Sequence, residues 1–308
     1  MSAQSPASPG ATIESQTLGT PIRGPRALTG DRSRFWQLAY NIARSEFKLK
    51  FFGSALGYLW QLMRPLLLFG VLYVFFVLVF HVDRAKGAAG HAYGAQLLGS
   101  IVLFTFFSEA TNGAVRSVVD RENLVRKIQF PRLAIPVSVV LLALFNLGLN
   151  LAVVLIFALA SGVDPMLSWL ELPVIVLVLT IFATGVAMLL SALFVRFRDI
   201  QPIWDVVSQI LFYCSPVIIP VEVVRERLLS GAGHGSFDHF LYHLYMLNPL
   251  APAFQEFRHA VINSDTLSAA HASGSWPALL APLGLVALVF GLGFWVFNRA
   301  APHIAEDL

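Results

Sequence analysis

The sequence has little charge for its length, and this scarcity argues against an ordinary soluble domain. Of its 308 residues, 13% are charged and 56% are hydrophobic, with a mean hydropathy of +0.70. Soluble domains carry about 25% charged residues. A chain this apolar has more hydrophobic surface than one core can bury, so we predict a polytopic membrane protein. A soluble domain built from buried helices is the alternative.

Cysteine and signal-peptide features are also scarce. Cys214 is the single cysteine, so no disulfide can form within the chain. It lies in an apolar run, which predicts a packed and unreactive thiol. Residues 1–30 are rich in Pro, Gly, Ser and Thr and lack the apolar core of a cleavable signal peptide. We expect them to form a disordered cytoplasmic tail.

The chain lacks the motifs of several enzyme classes. It contains no G-x-x-x-x-G-K-[ST] phosphate loop, so we do not expect it to bind ATP in that way. It also contains no H-E-x-x-H, no zinc-type Cys/His spacing and no G-x-S-x-G. His239 and His243 stand at i and i+4, but a metal site needs further ligands, and we predict none. The net charge of +3 gives no indication of nucleic-acid binding.

What the sequence does contain is a series of long apolar runs, which predict an all-α integral membrane protein. Six spans are expected, at about residues 56–80, 96–119, 133–160, 172–195, 202–219 and 277–297, and Pro216 interrupts the fifth. They form a transmembrane domain over residues 56–299, followed by a cytoplasmic tail over 300–308. Residues 220–276 are long and half-apolar, so we predict re-entrant helices there on the outer side.

A basic amphipathic segment precedes the first span. Over residues 31–55, apolar and aromatic side chains recur near helical spacing and cations fill the other positions. This pattern predicts a helix that lies in the membrane interface. A soluble helix packed on a partner is the alternative.

A short charged stretch, Asp120–Arg132, separates two apolar runs. It holds four cations against two acids and cannot lie in hydrocarbon. If the N-terminus is inside, the inner segments hold sixteen Lys and Arg and the outer segments hold five. The positive-inside rule therefore places both termini and this loop in the cytoplasm.

Polar residues also occur inside the predicted spans. Glu109, Asn112 and Arg116 share helical spacing in the second span. An acid at membrane depth indicates a functional site, although Glu109 could instead pair with Asn112 or Arg116 for structural reasons. Asn146 and Asn150, at i and i+4 in the third span, could bond neighbouring helices.

Five short motifs follow the amphipathic segment in a fixed order: GYLW-x3-RP, NLVRK-x2-FPR, RDI, YCSPVI-x-P and LNPL-x-P. In this order the chain resembles the ABC-2 type permeases that export polysaccharides, which are the membrane subunits of O-antigen, teichoic acid and capsule exporters. The resemblance covers about residues 31–299. Each motif is weak alone, and the series is specific.

The resemblance implies an inner-membrane subunit without catalytic residues. It would work with a second copy of itself and with two copies of an ATPase, and the ATPase would bind ATP and Mg²⁺. The substrate would be a lipid-linked polysaccharide. ATPase coupling is implied for Arg121, Asn123, Leu124, Val125, Arg126, Lys127, Ile128, Phe130 and Arg132. Substrate entry at the interfacial helix is implied for Arg44, Lys48, Lys50, Tyr58, Trp60 and Arg64. The channel-lining candidates are Tyr73, Phe75, Phe212 and Tyr213.

Alternatives remain open at this stage. The loop could serve topology alone, the cations could attract ordinary anionic lipids, and each aromatic could face lipid or core. The chain could export a small lipid or a drug instead of a glycan. A membrane enzyme of glycan assembly would need clustered catalytic groups, whereas Glu109, Asp205 and the histidines are scattered.

Overall fold

The computed structural model describes residues 32–51, 57–79, 93–127, 130–229, 235–264 and 266–304. These ranges contain helices and turns and no β-strand, which confirms the predicted all-α class. The predicted disordered tail over residues 1–30 lies outside them, as do Ile128 and residues 305–308.

The helices follow one another with short connections. The α-helices are α1 (Arg32–Phe51), α2 (Tyr58–Tyr73), α3 (Tyr93–Val115), α4 (Glu122–Lys127), α5 (Ala134–Ala160), α6 (Leu172–Arg196), α7 (Ile200–Tyr213), α8 (Val221–Leu229), α9 (Ser236–Leu247), α10 (Leu250–Phe257), α11 (Ala269–Ala272) and α12 (Leu280–Ala300). A π-helical turn extends α2 over Val74–Val79, and another, Arg258–Ile262, extends α10. Single 3₁₀ turns, Leu167–Glu171 and Trp276–Leu279, lead into α6 and α12.

Five of these helical stretches are long and apolar enough to cross a membrane. They are Leu59–Val77, Tyr93–Val115, Ala134–Ala160, Leu167–Arg196 and Trp276–Ala300, and they match the predicted spans one to four and six. The helices thus agree with a multi-pass membrane protein, in which the length of each span is set by the bilayer.

The predicted fifth span is a shorter helix than expected. The α7 helix has 14 residues, which gives about 21 Å at the α-helical rise, against about 30 Å of hydrocarbon. It ends at Tyr213, just before Pro216, because a proline lacks the amide hydrogen that would continue the helix and disfavours a helical residue before it. A sixth complete crossing stays a prediction. Cys214, which follows α7, is exposed, so the prediction of a packed thiol is wrong.

The α3 helix is the centre of the bundle. It is buried on nearly every side, with Leu97, Ile101 and Phe107 among its most enclosed side chains. It contacts α2, α5, α6, α7 and α10. A helix with hydrophobic residues spread around its whole circumference is expected at such a position, since it packs against other helices on most sides.

The α6 and α12 helices pack through glycine. A Cβ added at Gly293 would lie 2.1 Å from the carbonyl oxygen of Gly185, and one added at Gly185 would lie 2.7 Å from the Cα of Phe290. Small residues allow membrane helices to approach closely in this way. The contact fixes the last span against the fourth.

We expect Gly293→Ala to destabilise the bundle, because the added methyl meets backbone that cannot move aside. Overpacking of this kind costs about 1–3 kcal/mol, which corresponds to a fall in thermal midpoint of roughly 2–10 °C. Thermal unfolding of the purified chain in detergent measures the change. Gly291→Ala is the matched control, because a Cβ at Gly291 meets nothing within 4 Å. An equal effect of both substitutions would contradict the packing argument.

The α1 helix lies along α5. Phe35, Ala39 and Ala43 are buried at four-residue intervals on one face, as the amphipathic pattern requires. Tyr40 and Phe47 both approach the ring of Phe145 on α5 edge-on, with ring centroids 6.0 Å and 5.8 Å apart. The position of α1 in the membrane interface stays a prediction.

Three segments that were predicted to lie on the inner side meet at one end of the bundle. Arg116, at the end of α3, donates a hydrogen bond to Gln201 at the start of α7. Arg132, before α5, donates to the carbonyl oxygen of Ala301 after α12. The charged loop, the turn between α6 and α7 and the end of α12 therefore share one end, and its cytoplasmic orientation stays a prediction.

The helices between α7 and the last span, α8 to α11, form a small layer with its own core. That core contains Val221, Tyr242, Met246, Ala251 and Ala272. The Tyr242 hydroxyl donates to the carbonyl oxygen of Ala272 at 2.6 Å. The α10 helix joins this layer to α3, where the Phe257 ring lies directly over Gly99. Their predicted re-entrant, outward position is a separate expectation that stays open.

Candidate functional site

The charged loop is a structured element. The α4 helix occupies Glu122–Lys127, after a turn in which the Asp120 amide donates to the carbonyl oxygen of Arg116 at 3.0 Å. Val125 and Phe130 are 4% and 8% exposed and belong to a cluster that also holds Phe35 and Ala39 of α1. The loop and α1 therefore contribute side chains to the same apolar cluster.

Arg121 links the loop to α1 by charge as well. Its guanidinium forms an ion pair with Glu46 on α1 and donates to the Ser117 carbonyl oxygen at 3.3 Å. Burial lowers the pKa of Arg121, because desolvation disfavours the charged form. A guanidinium remains protonated in proteins, so the carboxylate of Glu46 stabilises a cation that is partly removed from water.

The predicted coupling residues thus divide into two groups. Val125, Phe130 and Arg132 are buried inside this chain, while Asn123 is exposed and Leu124 is half-buried. With Val125 buried, the α4 side chains that the structure describes at the surface are Glu122, Asn123 and Leu124. The side chains of Arg126 and Lys127, and the whole of Ile128, lie outside the described residues. Docking to an ATPase stays a prediction.

The predicted entry residues lie around the start of α2 and the end of α1. Arg44, Lys48, Trp60 and Arg64 are exposed. Lys50 is also at the surface, and its Nζ donates to the Oε1 of Gln61 on α2 at 3.1 Å. The side chain of Tyr58 lies outside the described residues.

From Lys50, a series of polar contacts runs through Gln61 into the bundle. The Nε2 of Gln61 donates to one carboxylate oxygen of Glu109 at 2.7 Å, and Asn146 Nδ2 donates to the other oxygen at 2.9 Å. We call Lys50, Gln61, Glu109 and Asn146 the polar chain. It connects α1, α2, α3 and α5, so the intramembrane acid is bonded to two other spans.

The partners of Glu109 differ from those that helical spacing suggested. Asn112 donates to the Ser108 hydroxyl at 2.9 Å and Arg116 to Gln201, so neither bonds the carboxylate. The side chains that bond Glu109 lie on adjacent helices and not on α3 itself. Asn146 fulfils the expectation of an interhelical amide bond, whereas Asn150 donates to the Asn146 carbonyl oxygen within α5.

A cavity of about 650 Å³ lies against the polar chain. Its walls come from α2, α3, α5 and α7, with Lys50 added from the end of α1. The charged and polar lining residues are Lys50, Arg64, Thr105, Ser108, Glu109, Asn112 and Asn146. A polar-lined space of this size among apolar spans can hold a hydrophilic group at membrane depth.

One of the four predicted channel aromatics lines this cavity. Phe212 is on its wall and packs edge-on against Phe104, with ring centroids 5.0 Å apart. Tyr213 is 67% exposed, and Tyr73 and Phe75 are also on the outer surface of the chain. Sequence reasoning missed Gln61, because nothing in the local pattern around it distinguishes it from other polar residues near a helix start.

Long apolar helices around a polar cavity, with a charged loop fixed at one end, define a polytopic membrane protein built for transport. Comparison of sequences agrees and specifies the family. The family model for ABC-2 type transporters matches residues 37–262, and the chain belongs to this family.

Three relatives carry the same description, O-antigen export system permease protein RfbA. Two are from Klebsiella pneumoniae and are 26% and 25% identical over 268 residues, which cover 87% of this chain and 93% of each relative. The third, from Myxococcus xanthus, is 29% identical over 190 residues, covering 62% of this chain and 71% of that protein.

Proposed function

We propose that this chain is the permease subunit of an ABC transporter that exports a lipid-linked polysaccharide, such as an O-antigen, across the cytoplasmic membrane. ATP hydrolysis takes place in a separate subunit. The observation that carries the proposal is the polar chain beside a 650 Å³ cavity inside a bundle of apolar spans. The substrate class comes from the relatives, which are named as O-antigen export permeases.

The cavity suits a sugar chemically. Carboxylate and amide oxygens accept hydrogen bonds from hydroxyl groups, and amide nitrogens donate to them. Phe104 and Phe212 offer ring faces and edges for the apolar faces of a pyranose. A small lipid or a drug has fewer hydroxyl groups to form hydrogen bonds with Glu109, Asn112 and Asn146 on the wall.

The energy source is proposed to be a partner chain. This sequence contains no phosphate loop, and the charged loop Asp120–Arg132 is the surface that we assign to the ATPase. Two ATPase subunits, each with ATP and Mg²⁺, would bind two copies of this chain. Because the loop joins two rigid spans, it can transmit a movement of the ATPase subunits to these spans as a rigid-body displacement.

A second copy of the chain is proposed to complete the channel. The α2 and α7 helices carry rows of exposed apolar side chains, and both also contribute to the cavity walls. The exposed residues are Leu67, Leu68 and Val71 on α2, Val74 and Phe75 on the π-helical turn that extends it, and Ile203, Val206, Ile210 and Tyr213 on α7. In the dimer, Tyr73, Phe75 and Tyr213 would face the partner or the translocation path.

Entry of the substrate is assigned to the region where α1 meets α2. Arg44, Lys48, Lys50 and Arg64 supply positive charge there, and a lipid pyrophosphate carries the opposite charge. Lys50 and Arg64 also lie on the cavity wall, so the same cations border both the proposed entry and the interior.

The direct test is complementation. A strain that lacks this chain should lose surface polysaccharide and accumulate the lipid-linked polymer inside, and the tagged chain should restore export and co-purify with an ATPase. Surface polymer is measured by immunoblot of intact cells and the internal pool by lipid extraction. Normal surface polysaccharide without the chain, together with export of a fluorescent drug or lipid by the chain, would favour a small-molecule exporter.

Charge reversal at two residues of α4 tests the coupling role. Arg126→Glu with Lys127→Glu should lower export by about tenfold or more, since losing one or two ion pairs at an interface removes about 1.4 kcal/mol or more. Export and ATPase stimulation are measured on the reconstituted complex, with membrane insertion checked in parallel. Reversal of Arg225 and Arg227 on α8 is the control. Unchanged export in the α4 variant rules out ionic docking there.

A further inference from the structure

A second polar cluster lies far from the loop, where α10 meets α3. Arg258, in the π turn after α10, is 2% exposed. Its Nη2 donates to the Oε1 of Gln96 on α3 at 2.9 Å and lies 3.4 Å from the carboxylate of Glu222 on α8. Gln255 bonds the same carboxylate at 2.7 Å. Burial lowers the pKa of Arg258, and Glu222 opposes that shift.

Besides Glu222 Oε2, which faces Arg258, three buried polar atoms in this region have no hydrogen-bond partner among the residues that the structure describes. They are the Nε of Arg258, the Nε2 of Gln96 and the Oγ of Ser100, which lies one helical turn after Gln96 on α3. Such atoms are costly to bury, and native proteins seldom leave several of them together. Three in one place indicate that something polar bonds them.

A small cavity lies between the same three residues. Its volume is about 10 Å³, and its lining includes Gln96, Ser100 and Arg258, together with Tyr93 and the turn from Pro216 to Pro220. That is about the space that one water molecule needs, and a water needs two to four polar partners. Volume and partner number therefore fit the same occupant.

We propose that this cavity is a binding site for a single structural water, which accepts hydrogen bonds from Arg258 Nε and Gln96 Nε2 and donates one to Ser100 Oγ. The water joins α3 to the turn that follows α10. It thereby attaches the layer formed by α8 to α11 to the central helix of the bundle.

A neutral occupant fits better than an anion. The guanidinium charge of Arg258 already faces Glu222, and no other cationic side chain lines the cavity among the residues that the structure describes. A halide ion is also larger than the water that the cavity fits. The proposal does not depend on the proposed transport function, because its test measures folding and density only.

The sign of a stability change provides the test. If the water is present, Ser100→Ala removes one of its three partners, and the thermal midpoint of the full-length chain in detergent should fall by about 2–4 °C. If the cavity is dry, the same change removes an unpaired buried hydroxyl, and the midpoint should rise or stay the same. Ser138→Ala is the matched control, because that buried hydroxyl bonds the Ile135 carbonyl oxygen of its own helix at 2.7 Å.

Two further measurements identify the occupant. An experimental map at about 2 Å resolution should contain a peak within hydrogen-bond distance of all three atoms. The midpoint should not change when sodium chloride is replaced by sodium gluconate. A raised or unchanged midpoint with Ser100→Ala, a featureless cavity in the map, a midpoint that depends on chloride, or a bromide anomalous peak would each overturn the proposal.

Discussion

Replacing Glu109 with leucine should abolish export and weaken the bundle. The carboxylate accepts hydrogen bonds from Gln61 on α2 and Asn146 on α5, and these are the contacts through which the acid joins three spans. Leucine leaves both amides unpaired. Each unpaired buried group costs about 1–3 kcal/mol in soluble proteins. In a membrane protein, double-mutant cycles give a smaller average contribution of about 0.6 kcal/mol for each hydrogen bond between helices.

We therefore expect a loss of about 1–3 kcal/mol in stability and a fall in thermal midpoint of roughly 2–10 °C. The loss of export should be much larger than this destabilisation accounts for, because the cavity also loses the one acidic group among the lining residues that the structure describes. Midpoint, membrane insertion and surface polysaccharide are measured on the same variant.

Glu109→Gln separates bonding from charge. Glutamine keeps one acceptor oxygen for Gln61, and its Nε2 can donate to Asn146 Oδ1 when that amide turns over, since Asn146 Oδ1 has no partner among the described residues. The stability of this variant should therefore lie close to that of the natural chain. If export also survives in this variant, the acid acts through hydrogen bonds. If export fails while the midpoint holds, the charge is needed. Glu226→Leu, at an exposed position on α8, is the control for substitution itself. Full export by Glu109→Leu would remove the polar chain from the proposed path.

The spans were predictable because their cause is local. A span can be predicted from a run of apolar residues that is long enough to cross the bilayer, whatever packs against it. Five of the six predicted spans are long apolar helices. The fifth differs because proline at 216 ends α7 instead of kinking it. Whether a proline ends or kinks a helix depends on whether the turn after it can form other hydrogen bonds. Here Asn248 Nδ2 donates to Ser215 Oγ, in the turn from Cys214 to Pro220, at 2.9 Å.

The site was less predictable because its contacts join distant residues. Glu109 bonds residues 48 and 37 positions away, and helical spacing points only to neighbours three or four positions away. The charged loop gives the same lesson. Its charge predicted a position outside the hydrocarbon, but whether Val125 and Phe130 face the chain or a partner is decided by the packing of α1 and α12 against them.

Reversing the charge of Arg121 should uncouple the loop from α1. Arg121→Glu places a second carboxylate beside Glu46, in a contact that is partly removed from water. The lost charge-assisted bond is worth about 1.5–3 kcal/mol. Because α4 and α1 also share an apolar cluster, the chain should still insert and fold. Export should fall by about tenfold or more, while basal ATP hydrolysis by the partner continues.

The exchanged pair is the decisive variant for this link. Glu46→Arg combined with Arg121→Glu restores opposite charges at the same two positions, and we expect it to recover at least half of the lost export. A neutral pair, Glu46→Gln with Arg121→Gln, should recover stability, because no charge is left unpaired. If the charged loop moves α1 through this ion pair, the neutral pair folds but exports poorly. Equal export by the neutral and the exchanged pair would show that the ion pair has only a structural role. The apolar cluster around Val125 would then be the contact that couples the loop to α1.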